Sequence, residues 1–314
     1  MSRLPAMLSP ASVPAGLERE SQLWHHYECT ELDPLLTPYT RRNALYLPTS
    51  LRSGSAWAVG SDGRTYRTPD DLPRFEWLDL DGSGVLATPH LVVEDAEAQL
   101  VQHADVLSAW TNNFTVSAVP AHALGEANTF LVSDTDATNA AFMSKVLGAF
   151  TGSTAKGVRL LWAVGPSPAA SGSWARLRDT TAGVDRLNIT VTANANGSPN
   201  VVVVGGAGVS HTARFLRAEG GVRYYVLHLT SNAITAANAH ELRLGAAVTG
   251  TQTGNVYWGA VTVTDEPRVA SWIDRPSTGA VSRAREIVGW VAPNIPTSGH
   301  TQLLDLVEFG AAAV

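Results

Sequence analysis

Three observations predict a mainly β protein, an antiparallel β-sandwich of jelly-roll or lectin-like type with an N-terminal extended arm and one short helix. Short segments alternate apolar and polar residues with period two. Gly, Asn and Ser clusters separate them at regular spacing. No strand–helix–strand alternation is sustained, so the connections read as antiparallel. The clearest pair starts where Leu187, Ile189 and Val191 alternate with Asn188, Thr190 and Thr192. Asn194 to Gly197 is the turn, and Val201–Val204 returns as a continuous apolar strand, which makes a hairpin. Arg223–Thr230, Glu241–Leu244 and Asn255–Thr264 follow as strands bounded by Gly, Ser or Asn. The single helix is expected over Ala137–Phe150, with Phe142, Met143, Val146 and Phe150 facing the core and Asp136 or Thr135 as its cap.

Four regions are expected in order. Residues 1–50 form an arm, because prolines at 5, 10, 14, 34, 38 and 48 interrupt any long element. Within it, Leu17 to Tyr27 suits a short helix whose Leu17, Leu23, Trp24 and Tyr27 lie on an apolar side for docking. The body they dock on is either this chain or a neighbour. Residues 51–101 form a small turn-rich β region, with turns at Ser61-Asp62-Gly63 and Asp81-Gly82 and large apolar groups at Trp57, Tyr66, Phe75 and Trp77. Residues 102–275 hold the sandwich. Residues 276–314 form a tail in which Leu303, Leu304, Leu306, Val307 and Phe309 close the fold or dock on a partner.

Composition narrows the function classes. Of 314 residues, 45% are hydrophobic and 16% charged, which suits a folded chain rather than a disordered one. Net charge is −6 and the basic residues are scattered, so no nucleic-acid partner is expected. Cys29 is the only cysteine, which excludes an intrachain disulfide and a thiolate metal cluster. Met1 to Pro14 lacks a continuous apolar core of signal-peptide type, and no run approaches the ~18 apolar residues of a spanning helix. The expectation is a soluble protein made in a cytoplasm, with no membrane partner.

Three ordered segments carry a resemblance. The first runs from Arg52-Ser53 through Ala56, Asp62-Gly63 and Pro73-Arg74-Phe75 to Leu91-Val92-Val93-Glu94. The second is Ala109-Trp110 followed by Asn113 to Val116. The third is Gly220-Gly221-Val222-Arg223-Tyr224-Tyr225, then Gly254-Asn255-Val256-Tyr257-Trp258-Gly259-Ala260, Ser271-Trp272-Ile273 and Arg283-Ala284. Together they resemble a widespread group of phage structural proteins of tail, head-fibre or minor virion type, across about residues 50–290. The chain departs from that pattern at Ala96 to Leu100, where an Arg-Thr-Asn-Leu run is usual. It departs again at Val261 and Val263, which replace a Gln and a Glu, and at Trp272, which stands for a Tyr. The resemblance implies a sandwich of carbohydrate-binding-module type, oligomeric and often trimeric, displayed on the particle. It implies no enzyme, and it does not establish sugar binding.

Candidate chemistry is sparse. Val201-Val202-Val203-Val204-Gly205-Gly206-Ala207-Gly208 has the look of a nucleotide-binding glycine turn. No helix or βαβ unit follows, so it reads as a strand connection. Trp24-His25-His26-Tyr27-Glu28-Cys29 holds metal-loving side chains, but adjacent histidines on a helix point about 100° apart and no matching cluster lies at ligand spacing. Asp79-Leu80-Asp81-Gly82-Ser83-Gly84 has a calcium-loop start, with His90 where the closing Glu belongs, so a turn is expected. No nucleophile elbow is present. Asp105, Glu126, Asp134 and Asp136 are the carboxylates from which a glycoside-cleaving pair would be drawn. Trp162, Trp174, Tyr224 and Trp258 are strand aromatics suited to stacking on sugar or to an interface, with burial in the core the ordinary alternative.

The expected function is therefore a phage virion structural protein, a surface decoration or short head or tail spike subunit that acts by assembly rather than catalysis. Neither catalytic residues nor a cofactor or metal is expected. Expected partners are further copies of the chain, a trimer being favoured, and the major capsid or tail proteins. The expected location is the virion, assembled in the host cytoplasm. The absence of heptads and long repeats argues against an extended fibre shaft. A host-polysaccharide binding module is the second reading and a glycan-cleaving enzyme the third.

Overall fold

A computed structural model describes residues 49–51, 56–68, 74–78, 85–94, 96–102, 104, 107–113, 116–120, 129–139, 141–165, 168–206, 208–249, 252–268, 271–273, 278–279, 281–283, 287–289 and 307–309. The expected arm with Leu17, Leu23, Trp24 and Tyr27 lies outside the described residues, as do His25, His26, Cys29, the Asp79–Gly84 turn, Asp105 and Glu126. In chain order the strands are β1 (Thr49–Leu51), β2 (Ala56–Val59), β3 (Thr65–Thr68), β4 (Arg74–Leu78), β5 (Val85–Glu94), β6 (Glu97–Gln99) and β7 (Thr111–Asn113). Next come β8 (Val116–Pro120), β9 (Thr129–Asp134), β10 (Phe142–Val146), β11 (Gly157–Val164), β12 (Ser173–Asp179), β13 (Val184–Ala193) and β14 (Pro199–Gly205). The last are β15 (Ser210–Glu219), β16 (Val222–Thr230), β17 (His240–Gly245), β18 (Gly254–Val263), β19 (Val281–Arg283), β20 (Ile287–Gly289) and β21 (Val307–Phe309).

The chain divides into two compact units. One comprises the described residues of Met1–Leu80, Val85–Ala96 and Arg283–Val314. There β2 and β3 form a hairpin, β4 pairs antiparallel with β5, β21 runs parallel to β5, and β1 pairs antiparallel with β20. The expected turn at Ser61-Asp62-Gly63 closes the β2–β3 hairpin: the Arg64 N–H donates to Asp62 Oδ1 at 3.0 Å, and Gly63 takes φ +74°, a region that favours glycine.

The other unit, the described residues of Asp81–Gly84 and Glu97–Ser282, is an antiparallel sandwich. Its first six-stranded sheet has the order β14-β13-β12-β17-β10-β7, and its second the order β15-β16-β11-β18-β9-β8. The alternation seen at Leu187, Ile189 and Val191 explains why this chain folds so. These residues are fully buried and join Ala175, Leu177, Leu242, Leu244 and Met143 from the first sheet. Val158, Leu160, Trp162, Leu227, Leu229, Trp258 and Val263 meet them from the second. Buried Gln99 ties β6 to this core: its amide donates to Val261 O at 2.7 Å and Ile273 O at 3.0 Å, and its Oε1 accepts from the Val263 N–H at 3.1 Å. A side chain thus satisfies strand groups that burial would otherwise leave costly.

The helix expected over Ala137–Phe150 is not there. Phe142–Val146 is instead β10, hydrogen-bonded to β17 on one side and β7 on the other. Among the described residues helical backbone is confined to the 3-10 turn Leu107–Ala109. Asp136 caps a loop rather than a helix. Its Oδ1 accepts from the Thr138 N–H at 2.7 Å and the Asn139 N–H at 3.0 Å, while Asp134 accepts from the N–H groups of Asp136 and Ala141. Hydrogen bonds from the Thr138 hydroxyl and N–H and from Asn139 hold the Asp136 carboxyl at about 2. Such local bonds satisfy the backbone without a helix and release the chain into a strand. The register then sends Met143 to the core and Phe142 to the opposite face.

One buried charge sets the acid limit of the sandwich. Asp179, fully buried at the end of β12, accepts from the Ala182 N–H at 2.8 Å, Arg186 Nη2 at 2.9 Å and Asn238 Nδ2 at 2.8 Å, with His240 Nε2 3.8 Å away. Burial pushes its carboxyl up, but these donors prevail and hold it at about 2. Burial pushes the His240 imidazole below its ordinary 6.5, against the pull of Asp179. The two signs agree. His240 takes up a proton in the unfolded chain before the folded one, so stability falls as pH drops below about 6.5. Asp179 stability is complete above the ordinary carboxylate value of 3.8 and is lost as pH falls toward about 2. Thermal unfolding from pH 8 to pH 2 is expected to show both limbs, and His240→Gln is expected to abolish the upper one. A melting temperature flat between pH 7 and pH 4 in the unsubstituted protein speaks against this account.

Candidate binding face

The two sheets treat their outer faces differently. On the second sheet many outward residues are buried, among them Arg159, Leu161 and Ala163 on β11, Tyr224 and Val226 on β16, and Thr262 on β18, while Leu131, His228 and Tyr257 are half-buried. On the first sheet, outward Arg176, Arg178, Asn188, Thr190 and Arg243 include no fully apolar side chain, and all but Asn188 are partly exposed. This face is the open one.

Its floor is aromatic. Ala175 and Leu177 point into the core, so Trp174, Arg176 and Arg178 stand on the opposite side of β12. The Trp174 indole lies across Gly245, its β17 partner, where a Cβ would come within 2.2 Å of Nε1. Only glycine admits the ring there. Trp174 Nε1 donates to Ala247 O at 2.7 Å, and Phe142, on the other side of Gly245, meets the indole edge-on at 5.6 Å.

Two guanidiniums roof these rings. Arg176 sits 4.3 Å above Trp174 and Arg243 sits 4.7 Å above Phe142. Arg176 and Arg243 are direct cross-strand partners, as are Arg178 and Glu241, Arg176 and Asn188, and Arg178 and Asp185. Arg176 Nε donates to Asn188 Oδ1 at 3.2 Å, and Arg178 Nη1 pairs with Asp185 Oδ1 at 2.8 Å. Arg243 pairs with Glu241 on its own strand. Burial pushes the Arg176 guanidinium below its ordinary value, Asp185 opposes this, and the like charges of Arg243 and Arg178 add to it. Like charges directly opposite in a sheet are unfavourable, so an anion placed over Arg176 and Arg243 relieves a repulsion already present.

The four aromatics singled out from the sequence are placed otherwise. Trp162, Tyr224 and Trp258 are fully buried, and Trp174 is 2% exposed beneath Arg176. Trp162 Nε1 donates to Ser173 Oγ at 2.7 Å, Trp258 Nε1 to Gly245 O at 3.4 Å, and Arg217 covers Tyr224 at 3.8 Å. In the single chain none offers a ring face to a sugar. Asp134 and Asp136 sit on one turn and are held by its own backbone N–H groups, not across a groove. Val201–Gly208 is the end of β14 and its connection to β15, with no helix after it. No group of His, Cys, Asp or Glu fit to hold a metal occurs among the described residues, and no described helix is long and apolar enough to cross a membrane. The sequence reading passed over Arg176, Arg178 and Arg243. Their signal was the period two of Trp174, Arg176 and Arg178, but the partner arginine arrives from a distant strand.

No protein-family model matches the chain, and no curated protein matches it. Among solved structures the chain is similar to the enzymatically active domain of tailspike protein 4 of bacteriophage CBA120, at 13% identity and a TM-score of 0.30. The likeness covers 52% of this chain and 21% of that one, so this chain matches only a minor part of the larger protein. The expectation that the chain is not an enzyme is corrected here, because the matched domain is an enzymatically active one. Absence of catalysis is not carried further.

Proposed function

We propose that the chain is a component of a bacteriophage particle, a spike or surface subunit, whose open sheet face binds acidic polysaccharide of the host surface. The observation that carries the binding reading is the open face itself: Arg176 and Arg243 stand opposed across β12 and β17, each stacked on a ring. Three arginines there face the two carboxylates Asp185 and Glu241. A uronic acid or similar sugar acid supplies the missing charge and a fork for the guanidinium edges. The particle reading is supported by the three ordered segments that resemble phage structural proteins. Arg74 and Glu94 of the first segment and Arg283 of the third meet in one buried cluster, so positions far apart in that pattern share a structural task.

Calorimetric titration with polygalacturonate, against neutral dextran, tests the binding. Binding to the acidic polymer alone is expected, weakening as salt rises. Arg176→Ala and Arg243→Ala are each expected to weaken it by about tenfold or more, the worth of a charge-assisted hydrogen bond. Arg176→Lys is expected to rescue little, since an ammonium offers neither the fork nor the flat stacking face. Equal binding to dextran, or none to either polymer, sinks the proposal.

A further inference from the structure

The hairpin that was clearest in the sequence leaves its second strand exposed. Among the described residues β14 is the outermost strand of the first sheet, bonded to β13 only. Val202 is 49% exposed, Val203 36% and Val204 59%. Val201 packs against the core, but Val202, Val203 and Val204 are left exposed. On the neighbouring edge, β15 of the second sheet leaves Phe215 38% exposed. Among the described residues the sandwich is thus open along one side.

Proteins ordinarily guard such an edge with lysine, an inward charge, a bulge or a short strand. Here the guards are few. From Leu187 to Ala213 the sequence contains no Asp, Glu, Lys or Arg, and β14 runs seven residues with its only proline at the first of them. A strand of this kind is a ready template for another strand, because its row of N–H and C=O groups matches that of a second edge. Among occupants, a second β14 fits without conflict. In a two-fold antiparallel pair the four valines face valines, and no like charges meet.

We infer that β14 is a self-association edge: two copies of the chain pair β14 to β14 about a two-fold axis and continue the first sheet across both. Each copy keeps its Arg176 and Arg243 face on the resulting sheet, but the pairing rests on the edge alone and is independent of polysaccharide binding.

The test is the mass of the full-length chain by sedimentation equilibrium from roughly 1 to 200 μM, together with hydrogen exchange. The unsubstituted chain is expected to pass from monomer to dimer, and the N–H groups of residues 200–205 are expected to gain protection over the same range. Val202→Lys with Val204→Lys is expected to weaken the dimer by about a hundredfold, since each places an ammonium on the apolar edge that the second copy must cover. Val146→Lys, at an exposed valine on another strand, is expected to leave it unchanged. A monomer at every concentration overturns the inference. So does a trimer, which two-fold edge pairing cannot make, or a dimer whose 200–205 amides stay unprotected. The protection measurement uses the native sequence, so it holds even where the double lysine variant fails to fold.

Discussion

Glu94→Gln is expected to destabilise the β4–β5 unit by about 3–5 kcal/mol, the cost of leaving buried charge without its partner. Glu94 Oε2 lies 2.5 Å from Arg74 Nη2 and 2.6 Å from Arg283 Nη1, and both arginines are almost wholly buried. Arg74 also donates to Trp57 O at 3.2 Å, which ties the cluster to β2. The amide keeps the shape of the carboxylate but removes the charge that lets two guanidiniums share one site. Hydrogen exchange of peptides over β4 and β5 reads the effect locally, and their protection is expected to fall while that of β12 and β13 stays. Replacing the whole cluster, with Arg74→Met, Glu94→Leu and Arg283→Met together, is expected to cost far less than the single change, because no charge remains to be desolvated. Unchanged protection in Glu94→Gln counts against an ionic cluster that holds the unit.

Trp162→Ala is expected to cost about 4 kcal/mol, at the upper end for a core truncation. The indole is fully buried, lies 4.9 Å from the Tyr225 ring and donates to Ser173 Oγ. It also lines a cavity of about 160 Å³ shared with Val164, Ala169, Val191 and Val256. Truncation merges the lost volume with space already there, so the walls collapse poorly. Trp162→Phe isolates the polar part. Ser173 Oγ still reaches Val191 O at 3.3 Å, so that variant is expected to lose only about 1–2 kcal/mol. Urea unfolding of the two variants measures the difference, and equal losses point to the hydrogen bond rather than the packing.

The sandwich was legible in the sequence because strand pattern is local. Leu187, Ile189 and Val191 alternate with polar residues, and a turn and an apolar strand follow at hairpin spacing, so β13 and β14 could be read without neighbours. The same holds for β16, β17 and β18. Phe142–Val146 was not legible. Phe142, Met143 and Val146 suit a helical stripe as well as a strand, and the choice fell to β7 and β17, which flank it and supply its hydrogen bonds. Burial was misleading in the other direction. An apolar run such as Val201–Val204 says that a strand avoids water, not whether this chain covers it.

The binding face shows the same division. That Trp174, Arg176 and Arg178 share a side follows from period two and needed only the sequence. That Arg243 stands opposite Arg176 and that Gly245 admits the indole depend on register. The sequence by itself determined β13, β14, β16, β17 and β18 and the inner side of β13, because steric and solvent preferences act residue by residue. Only the tertiary structure decided which strands are neighbours and which face meets solvent, because those are contacts between segments far apart in the chain, won by the packing of the whole core.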